Sequence, residues 1–314
     1  MSETLLNGGK YKLFMNKELG RGSFGNVYLG QDTENNSDYA IKVEPKKNKY
    51  CLLETEYNII RYTNQREDSH PVVHSYWFGS DKKNYYLVTD LLGKSLDKLK
   101  MECGGKFSLK TVLMLAEQII HRVKFYHDRN IIHRDIKPEN FLIEKNDTDT
   151  KKIYLIDFGL ARKYRKSSNK QHIPYRENKP HIGTARYMSI YAHERKEQSR
   201  RDDMYSVGYV LLYFLKGQLP WQGVQAKTKK QRYEEILKVK KQQTPETLTN
   251  DIQCIDCKIK NKYCSAVTCF RNFFMYLDTL KFEEDINYNF LLKEILVCME
   301  NHQYKYDYCW DWLG

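Results

Sequence analysis

Residues 131–140 read IIHRDIKPEN, an apolar entry followed by Asp135, Lys137 and Asn140. Transfer of a phosphoryl group from ATP calls for a carboxylate beside the attacking hydroxyl, a cation on the moving group and an oxygen ligand for Mg2+. Those three residue types are present here, and one tight loop can aim them together. A second carboxylate, Asp157 of Asp157-Phe158-Gly159, follows an apolar stretch and suits the metal as a further oxygen donor. Upstream, Gly20, Gly22, Gly25 and Val27 fit G-x-G-x-x-G-x-V, a turn whose backbone N–H groups can approach phosphates. Lys42 interrupts the apolar run 39–43, where a lysine is costly unless it is paired or touches a ligand.

The elements that must hold these residues can be read from periodicity. Residues 11–43 alternate as strands broken by turns, and Val27-Tyr28-Leu29-Gly30 reads as a strand. The glycine turn therefore joins a hairpin, whereas a dinucleotide-binding turn would open a helix. Leu52, Leu53, Tyr57, Ile59 and Ile60 predict a helix over 50–63, from which Glu56 can pair with Lys42. Glu54 is the alternative partner, because periodicity leaves the helix phase open by a residue or two. Strands follow over 72–79 and 84–90. After Asp90 helical spacing takes over, which divides the chain into regions 1–90 and 91–314. Ser108 is placed to cap a helix reaching about Arg129, with Leu109, Val112, Ala116, Ile119, Ile120 and Val123 inward and Asn130 as its stop. Short strands are expected at 141–143 and 153–156.

Composition narrows the partners. The chain has 314 residues, a net charge of +12 and eight cysteines. No apolar run approaches the roughly 18 residues of a membrane span, and Val207–Leu215 reads as a buried helix. MSETLLNGGK carries no secretory pattern, so we expect a cytoplasmic protein with reduced thiols and no membrane partner; separately, a monomer is expected. Cys254, Cys257, Cys264 and Cys269 raise a zinc reading, but their later spacings match no standard module and buried free thiols compete with it. The positive charge favours anionic partners. The run Lys227–Arg232 lacks interleaved aromatics and any nucleic-acid motif, so it reads as an anion-binding loop or helix start, and no nucleic-acid partner is expected. The same run would serve as a nuclear import signal. His181 and His193 are expected at surface or loop positions.

Taken in order, GxGxxGxV, AIK, HRDxKxxN and DFG resemble the eukaryotic protein kinases from about residue 11 to near the C-terminus. The resemblance implies an α+β, bilobal fold: a small antiparallel N-lobe with one helix, a mainly helical C-lobe and ATP in the cleft. Lys137 within HRDIKPEN is similar to the serine/threonine kinases. TDLLGKSL (89–96), YRENKPHIGTARYMSI (175–190), EQSRRDDMYSVGYVLLYFLKGQLPWQG (197–223) and NHQYKYDYCWDW (301–312) resemble the casein kinase I family, which also lacks the usual Ala-Pro-Glu.

Carried over residue by residue, the resemblance implies that Gly20, Gly22 and Gly25 cover the phosphates and that Lys42, backed by Glu56, holds two of them. Val27, Ala40 and Leu142 would line the base, with Asp90 to Leu92 as the hinge. Asp135 would take the acceptor hydroxyl, Lys137 the transferring group, and Asn140 with Asp157 the Mg2+. Asp203 looks like the buried aspartate that braces the HRD backbone, and Thr89 stands where the family carries Met. Arg186, Gly223 and Arg232 match an anion site for acidic or phosphorylated protein substrates; Arg134, Arg162 and Lys179 match a second basic cluster. The resemblance also implies activity without phosphorylation of the activation segment. Met188, residues 191–196 and Gln225 depart from the family, and 251–270 is longer. The alternatives are a vaccinia-related type of kinase, or an idle scaffold binding nucleotide and partner, which would normally lack one of Lys42, Asp135 and Asp157.

Overall fold

The computed structural model describes residues 3–22, 25–47, 50–64, 70–145, 151–252 and 264–313. Two compact units emerge. The first comprises Met1–Lys94, Leu142–Asp147 and Tyr154–Ala161; the second comprises Ser95–Phe141, Thr148–Ile153 and Arg162–Gly314. A contiguous division at residue 90 does not anticipate the two later segments of the first unit. They join it through contacts distant in sequence: Gly93 N–H donates to the Ile143 carbonyl at 2.9 Å, and Lys145 pairs with Asp38 at 2.9 Å.

In the first unit, β1 (Glu3–Leu6), β2 (Tyr11–Arg21), β3 (Asn26–Asp32), β4 (Asp38–Pro45), β5 (Ser75–Ser80) and β6 (Asn84–Asp90) form an antiparallel sheet in the order β1-β2-β3-β4-β6-β5. Helix α1 (Leu52–Thr63) connects β4 to β5. Side chains alternate across the pleat, so Ile41 and Val43 enter an apolar cluster with Leu13, Tyr28, Tyr86 and Val88, and Lys42 takes the other face. The expected β2–β3 hairpin is present, Gly22 N–H donating to the Gly25 carbonyl at 2.8 Å. A Cβ at Gly25 would lie 2.1 Å from the Val43 carbonyl oxygen, so only glycine fits that close approach. Glu44 accepts from the Leu52 and Leu53 amides, both at 3.0 Å, setting a carboxylate at the positive end of α1. Strand β5 starts at Ser75 and not at Val72, because the His74 amide turns to the Asp90 carboxylate at 2.7 Å.

The chain continues through α2 (Leu96–Glu102), α3 (Leu109–Asp128), β7 (Ile131–Ile132), β8 (Phe141–Ile143), β9 (Ile153–Leu155) and β10 (Arg162–Lys163). Strand β7 pairs with β10, and β8 with β9. Then come α4 (Ile190–His193), α5 (Arg200–Lys216), α6 (Lys229–Lys241), α7 (Pro245–Thr249), α8 (Ser265–Thr279) and α9 (Tyr288–Asn301). The predicted inner face of α3 is buried throughout, and the helix ends where Asn130 turns left-handed at φ +63°. Helix α5 is buried from Arg200 to Leu215, wrapped by α3 and by Phe270, Phe273 and Phe274 of α8. That accounts for the absence of a charged face over its run 207–215. Among the described residues no helix is long and apolar enough to cross a membrane.

Ser108 caps α3, its Oγ accepting from the Thr111 amide at 3.2 Å and donating to Asp311 Oδ1 at 2.7 Å. Replacing it with alanine removes both bonds. Ser108→Ala is expected to lower stability by about 1–2 kcal/mol, read as a shift in the urea midpoint at unchanged slope; an unshifted midpoint would remove the cap from the account.

Candidate active site

In the first unit, Lys42 on β4 meets Glu56 on α1 at 2.5 Å, and both are largely buried. The phase of α1 left open by periodicity is thereby resolved, since Glu54 faces solvent. Burial opposes the ammonium, but the Glu56 and Asp157 carboxylates outweigh it and hold Lys42 above its ordinary value. Burial pushes Glu56 up while Lys42 opposes the rise. Asp157 follows β9 in a left-handed conformation at φ +68°, which turns the chain into the short 3-10 segment Phe158–Leu160 against α1. Gly20, Gly22 and Gly25 frame the hairpin turn, with Val27 opposite Lys42 in the ladder. Ala40 pairs with Thr89, which is buried, and Leu92 and Leu142 are half-buried. Asp90 is committed locally, accepting from the Tyr76 hydroxyl at 2.6 Å and the His74 amide.

In the second unit, HRDIKPEN forms a tight loop between β7 and β8. Lys137 Nζ lies 2.6 Å from Asp135 Oδ2, and Thr184 donates to Asp135 Oδ1 at 2.7 Å. Asn140, buried in a 3-10 turn, donates its amide nitrogen to the Asp135 carbonyl at 2.9 Å, a bond that does not use its Oδ1. Asp203, from the first turn of α5, accepts from the His133 amide at 2.7 Å and the Arg134 amide at 2.8 Å. His127 Nε2 adds a contact at 2.9 Å. Burial raises Asp203, but these donors prevail and hold it below the usual carboxylate range. The brace implied for Asp203 is therefore present. Gly183, at φ +101°, would set a Cβ 2.5 Å from the Arg134 carbonyl oxygen, so the activation segment approaches the catalytic loop only as glycine.

A cavity of about 450 Å³ in the second unit is lined by Arg186, Gly223, Lys229 and Arg232, together with Thr184, Glu139 and aromatic rings. The three residues matched to an anion site thus share one wall system, and Thr184 joins it to Asp135. The run 227–232 is a helix start: Thr228 caps α6 in a capping box with Gln231. Two residues here escaped the sequence reading. Lys240, fully buried, donates to the carbonyls of Ala185 (3.1 Å) and Met188 (2.5 Å), and Trp221 Nε1 donates to the Arg186 carbonyl at 2.7 Å. Together they hold the wall of the cavity in shape. The signal for Lys240 was its place one turn beyond Ile236, on the inward face of α6.

Other expectations change. Arg162 and Lys179 both pair with Glu197, at 2.9 and 3.3 Å, so the second basic cluster is partly neutralised. Burial first, then the neighbouring Arg162, pushes Arg134 down to about 10. His193 is not at the surface: it is buried on α4 and bonded to the Ala185 carbonyl at 3.1 Å, while His181 is exposed and bonds the His193 carbonyl at 3.0 Å. Cys254 and Cys257 lie outside the described residues. Cys264 and Cys269 are buried at α8, where the Cys269 thiol meets Cys298 of α9, and among the described residues no group of three or more His, Cys, Asp or Glu side chains is placed to hold a metal.

Burial, reinforced by Lys240, pushes His193 down to about 3. Between that value and the ordinary histidine range near ~6.5, the unfolded chain binds a proton that the folded chain refuses. Stability therefore falls as pH drops through this window, by about 1.4 kcal/mol per unit from this group. His193→Gln is expected to flatten the slope of unfolding free energy between pH ~6.5 and ~5; equal slopes in the two proteins would contradict it.

A family model described as protein kinase domain matches residues 14–273, most of the chain. That span contains the glycine turn, the Lys42–Glu56 pair, the catalytic loop, Asp157 and the Arg186 cavity. The chain belongs to the protein kinase domain family, whose members take ATP as phosphoryl donor.

Proposed function

We propose that the protein is a serine/threonine kinase of the casein kinase I type, transferring the ATP γ-phosphoryl group to acidic or phosphoprimed protein substrates. The observation that carries this reading is the cationic cavity on Arg186, Gly223 and Arg232, joined by Thr184 to Asp135. An extended acceptor peptide advances ~3.3–3.6 Å per residue, so an anion a few residues before the acceptor suits a site so linked to the carboxylate. Lys137 supports serine/threonine acceptors, because it supplies the cation beside Asp135 that tyrosine kinases usually place elsewhere.

In this reading Asp135 orients the acceptor hydroxyl and takes its proton, while Lys137 steadies the transferring group. Lys42, held charged by Glu56, grips the donor phosphates. Asn140 in the second unit and Asp157 in the first each supply an oxygen of the kind a hard divalent cation such as Mg2+ takes; that ion, when bound, would neutralise charge on the phosphates. Arg186 and Arg232 accept the priming phosphate, with Lys229 adding charge. Arginine at 232 offers a planar fork where the related family usually has lysine.

Asp135→Asn should lower kcat by 10³-fold or more with nucleotide affinity nearly unchanged. Combined with Lys42→Met, the loss should fall well short of the product of the single effects, since both serve one transfer. Normal turnover in Asp135→Asn would refute the assignment. Paired peptides differing only in a phosphoserine three residues before the acceptor test the substrate class. Arg186→Ala should raise KM for the primed peptide at least tenfold and for the unprimed acidic one far less. Equal losses would remove the primed-site role and leave the kinase reading standing.

A further inference from the structure

The second unit holds another cavity, of about 420 Å³, that shares no lining residue with the one at Arg186. Its charge is unbalanced. Of the cations on its walls, Lys124 is paired with Asp128 at 2.5 Å. Arg165 (2.9 Å) and Arg200 both lean on one oxygen of Asp285. Lys170 is exposed and has no ion-pair partner among the described residues. Arg200 is only 4% exposed: its Nη2 donates to the Glu283 and Glu284 carbonyls at 2.7 and 2.9 Å, its Nη1 is held by Asp285, whose side chain is 74% exposed, and its Nε is buried without a hydrogen-bond partner. A single solvated carboxylate between two guanidinium groups is a weak counter-ion, and a dianion with three acceptor oxygens satisfies the same cations better.

The cavity wall is also wired to the catalytic loop. Tyr288 lines it, and the Tyr288 hydroxyl lies 2.5 Å from His127 Nδ1. Asp203 is an ionised acceptor for the His133 and Arg134 amides, so His127 Nε2 must donate to it. Burial holds His127 below its ordinary value, so the ring is neutral. Nδ1 is then the acceptor and the Tyr288 hydroxyl the donor. The chain of bonds runs from a cavity wall through two side chains to the backbone that sets Asp135.

We propose that this cavity is a phosphate-binding effector site, in which a phosphate group seated on Arg165, Lys170 and Arg200 displaces Asp285 and stiffens the catalytic loop through Tyr288, His127 and Asp203. A volume of this size accepts a single phosphorylated residue or a small free phosphate compound. Tyr288 supplies an aromatic wall to pack against, and Lys124 already stands over its ring at 5.7 Å. The claim does not rest on the substrate class proposed above.

The test uses the whole 314-residue chain with Arg186→Ala and Arg232→Ala, which silences the cavity at Arg186 and leaves every other cation in place. Inorganic phosphate and O-phosphoserine are titrated calorimetrically at constant ionic strength, and hydrogen exchange is followed at the His133 and Arg134 amides. One phosphate per chain should bind, and Arg165→Gln with Lys170→Ala should weaken it at least tenfold. Asp285→Asn, which removes the competitor, should tighten it at least threefold. Saturation should slow exchange at the two amides at least threefold, and Tyr288→Phe should keep the binding while losing that slowing. Tighter binding of O-phosphoserine than of phosphate identifies a phosphorylated chain as the source; the reverse identifies a free phosphate compound. No binding in this background, binding indifferent to Arg165, Lys170 and Asp285, or exchange unmoved at saturation would each overturn the proposal.

Discussion

The catalytic loop depends on one buried carboxylate. Arg134 sits at φ +67°, a left-handed conformation that costs a side-chain-bearing residue on the order of 1–3 kcal/mol. It persists because Asp203 takes the amides of His133 and Arg134 together, which leaves the backbone no relaxed alternative without breaking two charge-assisted bonds. Asp203 in turn is fixed because α5 is buried on every side, so its first turn cannot drift. The position of Asp135 thus derives from a helix some seventy residues further along the chain.

The first unit solves a similar problem with different parts. Asp157 also sits left-handed, and the short 3-10 turn that follows packs against α1. The same helix carries Glu56, and its N-terminus is held by Glu44. Three carboxylates therefore converge on one lysine and one helix end. Lys42 remains charged in a buried setting because two of them outweigh its desolvation. A lysine in an apolar strand was a cost visible in the sequence, and its compensation is visible only in the fold.

The segment from Gly183 to His193 shows where local reasoning ran out. Its motif was legible, and so were the cationic positions Arg186 and Arg232. Its supports were not. Lys240 reaches the Ala185 and Met188 carbonyls from more than fifty residues away, and Trp221 reaches Arg186 from thirty-five. His193 was expected at a surface or loop position, and Glu194, Arg195 and Lys196 beside it are charged. In the structure α4 turns His193 inward beside Ala192, while Glu194, Arg195 and Lys196 stay at or near the solvent.

The sequence by itself determined what depends on neighbours within a few residues. Strand alternation, the Ser108 cap, the Asn130 stop, the β2–β3 glycine hairpin and the order of the reactive residue types all follow from backbone sterics and short-range periodicity. Tertiary structure decided what depends on segments far apart in the chain. It chose Glu56 over Glu54, returned Leu142–Asp147 and Tyr154–Ala161 to the first unit, buried His193, and partly neutralised the basic cluster by pairing Arg162 and Lys179 with Glu197. The reason is physical: a buried polar group must find its partner wherever the fold places one, and sequence spacing carries no record of where that will be.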